Sequence, residues 1–264
     1  MNDTIPTSLN YQKLGTGPNI LLAFHGIGQD GISCFKSLET HLDEHYTIYA
    51  FDLFFYGQSK NPPEQVITKD LWTKLVGDFL TQHSISKFDV AGFSMGGRFA
   101  LATVEAFSSQ IENAFLIAPD GVSEHPLYTL ASRFAPTRFL FKWMMQHPET
   151  FFRYVHIFQK TGFLNSSLVR FTEQVLNTQE KRETIYNSWV AFRQLRFDIP
   201  QLYAKAKENR IRIILFTGKF DKLLKAADVK KLADLLPADH YIVLKSGHSQ
   251  LVEQAGAWIC TLFK

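Results

Sequence analysis

Residues 92–97 read Gly-Phe-Ser-Met-Gly-Gly. Glycine loses more backbone entropy on folding than any other residue, so three in six positions must meet a steric need. An apolar run, "KFDVAGF", precedes them and a helical pattern follows. The G-x-S-x-G spacing in that setting predicts a very tight strand-to-helix turn. Ser94 sits at its apex in strained backbone with its hydroxyl exposed, and side chains at 92 and 96 would collide with the flanking strand and helix. The chemistry is that of a serine nucleophile.

An activated serine needs a base, an acid that orients the base, and donors for an oxyanion. "LFTGKFD" puts Asp221 just past an apolar run, and "VLKSGH" puts His248 just past the last one. The gap of 27 positions between them holds one helix and one strand. Both positions follow the carboxyl ends of expected parallel strands, the edge where open α/β sheets build their sites. Asp120, after "NAFLIAP", and Asp52, after "YTIYAF", are rival acids. The backbone N–H of Met95 is one oxyanion donor. The N–H of Ile27, in "AFHGIGQDG", is the second, with Gly26 and Gly28 letting the backbone approach. His25 is expected to hydrogen-bond within that loop and shape it rather than act as a base. The nine histidines are scattered and Cys34 and Cys260 stand alone, so no metal-ligand spacing is present and two reduced thiols are expected.

The elements that position these groups follow from periodicity. Near-continuous apolar runs at 19–24, 46–53, 87–93, 113–118, 210–218 and 240–247 suit strands buried on both faces. Helical patterns fall between them at 31–43, 66–84, 95–108, 225–236 and 249–263. Strand–helix alternation implies a parallel sheet. The segment "SLNYQKLGTGPN" adds an antiparallel edge strand, turning at Gly15–Gly17. Segment 125–205 breaks the rhythm: it holds helical stretches separated by prolines and is too apolar to be a linker. The fold class is α/β, a mostly parallel doubly wound sheet of about seven to eight strands, with residues 1–122 and 206–264 as core and 123–205 as an inserted helical cap.

The set "HGIG", "DLFFYGQS", "GFSMGGR", "GKFD" and "SGH", in this order, resembles the α/β-hydrolase superfamily over nearly the whole chain. It is most similar to small single-domain esterases, carbon–carbon bond hydrolases and haloperoxidase-like enzymes. The resemblance implies a Ser94–His248–Asp221 triad, Met95 and Ile27 as oxyanion donors, a helical cap over the site, and no cofactor. The motif after the second long strand departs from the family pattern, with Phe54 and Phe55 in its middle. "GFSMGGR" also resembles a lyase of the menaquinone pathway, in which the arginine four positions after the serine binds a substrate carboxylate; Arg98 holds that position here. Phe93 stands where that lyase usually has tyrosine. Arg98, Phe93, Trp143 and Trp189 are therefore candidate substrate-binding residues, although for Arg98 a pairing with a structural carboxylate is the plainer expectation. The expected activity is cleavage of a carboxylic ester of an apolar small molecule, with carbon–carbon hydrolysis or elimination from a carboxylate-bearing substrate as the alternative.

Charge sets the partners. Lys and Arg number 28 against 25 Asp and Glu, a net +3, which does not suit a nucleic-acid binder. Between 123 and 205, eleven basic residues face six acidic ones, so the cap is locally basic. A solvated basic face over an apolar inner face accounts for this; the sharper alternatives are an apolar acyl pocket with a cationic entrance for an anionic group, or weak contact with a membrane surface. The first fifteen residues lack a basic and apolar leader pattern, and no run is long enough to span a membrane, so a cytoplasmic protein is expected.

Overall fold

The computed structural model describes residues 9–59, 62, 66–124, 126–164 and 166–263. The start of the expected edge-strand segment, Ser8, and most of the N-terminal stretch lie outside them. The chain divides into two compact units, 1–123 with 194–264, and 124–193.

The first unit is built on a seven-stranded sheet. Its strands are β1 (Tyr11–Leu14), β2 (Asn19–Phe24), β3 (Tyr46–Phe51), β4 (Phe88–Phe93), β5 (Ile111–Ile117), β6 (Arg212–Gly218) and β7 (Tyr241–Leu244). They are arranged β1-β3-β2-β4-β5-β6-β7. Only β1 is antiparallel; it pairs with β3, Tyr11 opposite Phe51, and not with β2 that follows it. Every residue of β3 and of β4 is buried, as expected for parallel strands covered on both faces.

Helices α1 (Gly31–Leu42), α2 (Lys69–Gln82), α3 (Gly96–Ala106), α9 (Ile199–Glu208), the one-turn α10 (Lys230–Ala233) and α11 (Leu251–Cys260) belong to this unit. Asp30 starts α1 with a reciprocal capping box to Ser33, and Cys34, Phe35, Leu38 and Leu42 bury one face against the sheet core. On the opposite face Phe24, Trp72 and Phe99 pack edge-on, and Trp72 Nε1 donates to Thr103 Oγ1 at 3.0 Å, tying α2 to α3. The helix expected over 225–236 is a 3₁₀ turn, Ala226–Val229, running into α10.

The second unit holds α4 (Pro126–Arg133), α5 (Ala135–Gln146), α6 (Pro148–Lys160), α7 (Ser166–Leu176) and α8 (Gln179–Ala191). Pro136 and Pro148 are not breaks within helices. They sit in first turns, where the missing N–H costs nothing. Internally the unit is held by Tyr128 and Phe141 rings packed on Trp189 and by Arg182, which donates to the carbonyls of Met145 and Leu176. The insertion ends twelve residues earlier than expected, at Arg193 rather than at 205. Residues 194–205 belong with the sheet because Leu195, Ile199 and Leu202 are buried there and α9 packs on α3 and β6.

Candidate active site

Ser94 directly follows β4 and has φ +50°, the left-handed region that L-residues avoid at a cost of about 1–3 kcal/mol. The strain is held from both sides. Its N–H donates to the Ile117 carbonyl at 3.0 Å, and its carbonyl accepts from Gly97 at 2.9 Å and Asp120 at 2.8 Å. A β-carbon at Gly96 would fall 1.9 Å from the Phe24 carbonyl oxygen, so the turn closes only because residue 96 has none. Ser94 keeps partial exposure while Phe93 and Met95 beside it are buried.

Asp221 and His248 meet at the same edge of the sheet. Gly218 and Leu244 are partners at the ends of β6 and β7, and beyond them Lys219 donates to Leu244 and Phe220 to Ser246. This zipped turn brings Asp221 Oδ2 to 2.6 Å from His248 Nδ1. Asp221 Oδ1 accepts the N–H groups of Leu223 and Leu224 at 2.8 and 3.0 Å. The carboxylate side chain is wholly buried and the imidazole nearly so, 14% exposed. A carboxylate only accepts, so Nδ1 carries the proton and Nε2 is left as the ring's acceptor.

The loop after β2 carries Ile27. Neither its N–H nor that of Met95 is taken by another group among the described residues. His25 is fully buried; Nδ1 donates to the Gly26 carbonyl at 2.7 Å and Nε2 accepts the Leu53 N–H at 3.0 Å. Burial lowers its pKa from 6.5 to about 4, against a partial opposing pull from the Gly26 carbonyl, Asp52 and Asp30. It is a neutral brace between two loops. Burial also pushes the Cys34 thiol up to about 12, which leaves it unreactive.

Both rival acids are engaged elsewhere. Asp52 accepts from Gly31 at 2.9 Å and from Gln58 at 2.8 Å, closing the loop after β3. Asp120 grips Arg98 through two hydrogen bonds, Nε to Oδ2 at 2.6 Å and Nη2 to Oδ1 at 3.1 Å. Arg98 Nη1 donates to the Leu195 carbonyl at 3.0 Å, and the residue is 1% exposed. The guanidinium is buried and engaged with protein acceptors, as the pairing with a structural carboxylate requires. Phe93 is 4% exposed and its ring packs 4.8 Å from the His248 ring. Trp143 and Trp189 lie in the helical unit, Trp143 stacked on His147 and Trp189 between Tyr128 and Phe141.

One neighbour was not legible from spacing. Tyr56 packs edge-on against His25 at 5.2 Å and directs its hydroxyl to the Met95 sulfur at 3.9 Å, backing the residue whose N–H faces the serine turn. The preceding Phe55 has φ +75°, an outlier that no glycine announces. Among the described residues no group of His, Cys, Asp or Glu side chains could hold a metal ion, and no helix is long and apolar enough to cross a membrane.

Residues 19–255 match the model of the alpha/beta hydrolase fold family. The whole-chain architecture is similar to that of an esterase from Thermogutta terrifontis, with TM-score 0.69 and 17% identity over 97% of this chain and 91% of that one. It is similar also to a meta-cleavage product hydrolase from Pseudomonas fluorescens, with TM-score 0.63, 18% identity, and 97% and 93% covered. An enol-lactonase from Burkholderia xenovorans gives TM-score 0.63, 17% identity, and 97% and 95% covered. Likeness at such identities is likeness of fold. In sequence, 134 residues are 29% identical to an uncharacterised protein of Mycobacterium tuberculosis, covering 47% of this chain and 38% of that relative's length.

Proposed function

Because this chain belongs to the α/β-hydrolase family, we propose that it is a serine hydrolase acting on a carboxylic ester of an apolar small molecule. The observation that carries the reading is the 2.6 Å hydrogen bond between His248 Nδ1 and Asp221 Oδ2, at the sheet edge that also presents the strained Ser94.

In this mechanism Ser94 Oγ attacks the acyl carbonyl carbon as its proton passes to His248 Nε2. The carbonyl oxygen takes up the electron pair and is held by the N–H groups of Met95 and Ile27. Collapse breaks the ester C–O bond, and His248 returns the proton to the leaving alcohol. Water then repeats the sequence on the acyl-enzyme, with His248 as base, and releases the acid. Asp221 keeps the ring in the Nδ1–H tautomer and stabilises the imidazolium. These groups are this chain's own and the scheme uses no other.

The ester reading is favoured over a carboxylate-directed elimination by the state of Arg98, whose guanidinium is engaged with Asp120 and Leu195. Selectivity is assigned, within this proposal, to the aromatic-rich helical unit. The test is a fluorophosphonate probe. It should label Ser94 in wild type and nothing in Ser94→Ala, and the variant should lose hydrolysis of nitrophenyl esters while unfolding at an unchanged temperature. Labelling at another serine, or activity kept in Ser94→Ala, overturns the assignment.

A further inference from the structure

Of the twelve large hydrophobic side chains exposed among the described residues, nine fall between Leu130 and Phe163. They follow one another along α4, α5, α6 and the turn after it, and are not scattered over the chain. Isolated exposed apolar residues need no explanation, but a concentration of this kind marks a surface meant to be covered.

The arrangement on α6 identifies the cover. Tyr154, Ile157 and Phe158 recur at helical spacing and are 53%, 46% and 49% exposed. Gly162, at φ +79°, turns the chain back after the helix, so that Phe163 donates its N–H to the Phe158 carbonyl. The two rings then meet edge to face at 6.3 Å, and Phe163, 81% exposed, extends the stripe past the helix end. Arg153 and Lys160 share one flank of that stripe, and neither has an ion-pair partner among the described residues. Phe139, 74% exposed, gives α5 the same character. Over residues 126–163 five basic side chains stand against one acid, Glu149. The acids of the helical unit fall mostly on α7 and α8, at Glu173, Glu180 and Glu183; of these Glu173 reaches α6, 3.5 Å from His156 Nε2.

An aromatic stripe with basic flanks and almost no acids complements one kind of partner, a surface that is apolar below and negatively charged at the top. We propose that α5 and α6 dock this protein on anionic lipid bilayers, with Phe139, Tyr154, Ile157, Phe158 and Phe163 entering the headgroup boundary and Arg153 and Lys160 pairing with lipid phosphates. The docking is peripheral and reversible, because no helix is long enough to span.

Flotation with vesicles tests it without reference to catalysis. Wild-type protein should float with vesicles of phosphatidylglycerol in phosphatidylcholine and at least tenfold less with phosphatidylcholine alone, and high salt should release it. Phe158→Ser with Phe163→Ser should abolish flotation. Arg153→Glu with Lys160→Glu should abolish the preference for anionic lipid while keeping the far-UV circular dichroism of wild type. All these side chains are surface-exposed, so the variants are expected to fold. Flotation that is absent, or equal on the two vesicle types, overturns the proposal. So does a wild-type dimer in solution that the two serine substitutions convert to monomer, since the stripe would then be covered by a second copy of the chain.

Discussion

The ring of Phe93 lies 4.8 Å from that of His248 at an interplanar angle of 36°, and it also fills the space beside Gly26, where a β-carbon would fall 2.9 Å from Phe93 Cδ1. This side chain thus stands between the histidine and the loop of Ile27, on the residue that precedes Ser94. Phe93→Ala should lower kcat by about 10²-fold with a smaller change in KM, because loss of the spacer lets the base drift by a fraction of an ångström to an ångström. Folding should weaken by about 3 kcal/mol or more, as for other buried phenylalanines. The rate of fluorophosphonate labelling per folded molecule separates the two effects. Wild-type labelling in the folded variant would mean that Phe93 only fills space.

Asp221→Asn should leave the fold in place and lower kcat by about 10⁴-fold, the loss seen when an orienting acid is made an amide and the wrong histidine tautomer is favoured. Asp52→Asn and Asp120→Asn serve as comparisons. Their carboxylates hold backbone N–H groups and Arg98, so their main effect should appear in thermal stability. A near wild-type Asp221→Asn beside an inactive Asp120→Asn would reassign the acid.

His25 sets an acid limit on stability. Its folded pKa of about 4 lies below the unfolded value of 6.5, so between these values the unfolded chain binds the extra proton. Stability is fully present above 6.5 and falls as pH drops toward 4, by about 3 kcal/mol in total from this group. His25→Gln should be less stable at neutral pH, yet its urea midpoint should fall less steeply across the same interval. Parallel curves for wild type and variant would show that His25 does not supply the slope.

Much of this site was readable in advance because its requirements are local. The turn at Ser94 needs small residues at fixed offsets, and the strands ending before Asp221 and His248 are marked by apolar runs. What could not be read depends on contacts between distant residues. The sequence suggests a structural carboxylate for Arg98, but nothing in the spacing of Arg98 and Asp120, or of Arg98 and Leu195, identifies those partners. The insertion's end was misjudged for a similar reason: residues 194–205 are as helical as what precedes them, and only burial of Leu195, Ile199 and Leu202 assigns them to the sheet. The exposure of Phe139 and Phe163 was hidden too, since an aromatic on an amphipathic helix reads as core until its neighbours are known.

The pairing of Arg98 leads to the substrate prediction. Arg98→Met removes the buried cation of a pair whose carboxylate is 31% exposed, and should destabilise by about 1–3 kcal/mol. At a temperature where the variant is folded, kcat/KM should fall by the same factor for neutral esters and for esters bearing a second carboxylate, because the guanidinium meets Asp120 and not the substrate. In wild type, kcat/KM should rise roughly fourfold for each methylene added to the acyl chain until the pocket is filled, given about 0.8 kcal/mol per buried methylene. A flat acyl series, together with an Arg98 effect confined to carboxylate-bearing substrates, would transfer the assignment from ester hydrolysis to a carboxylate-directed reaction on the same triad.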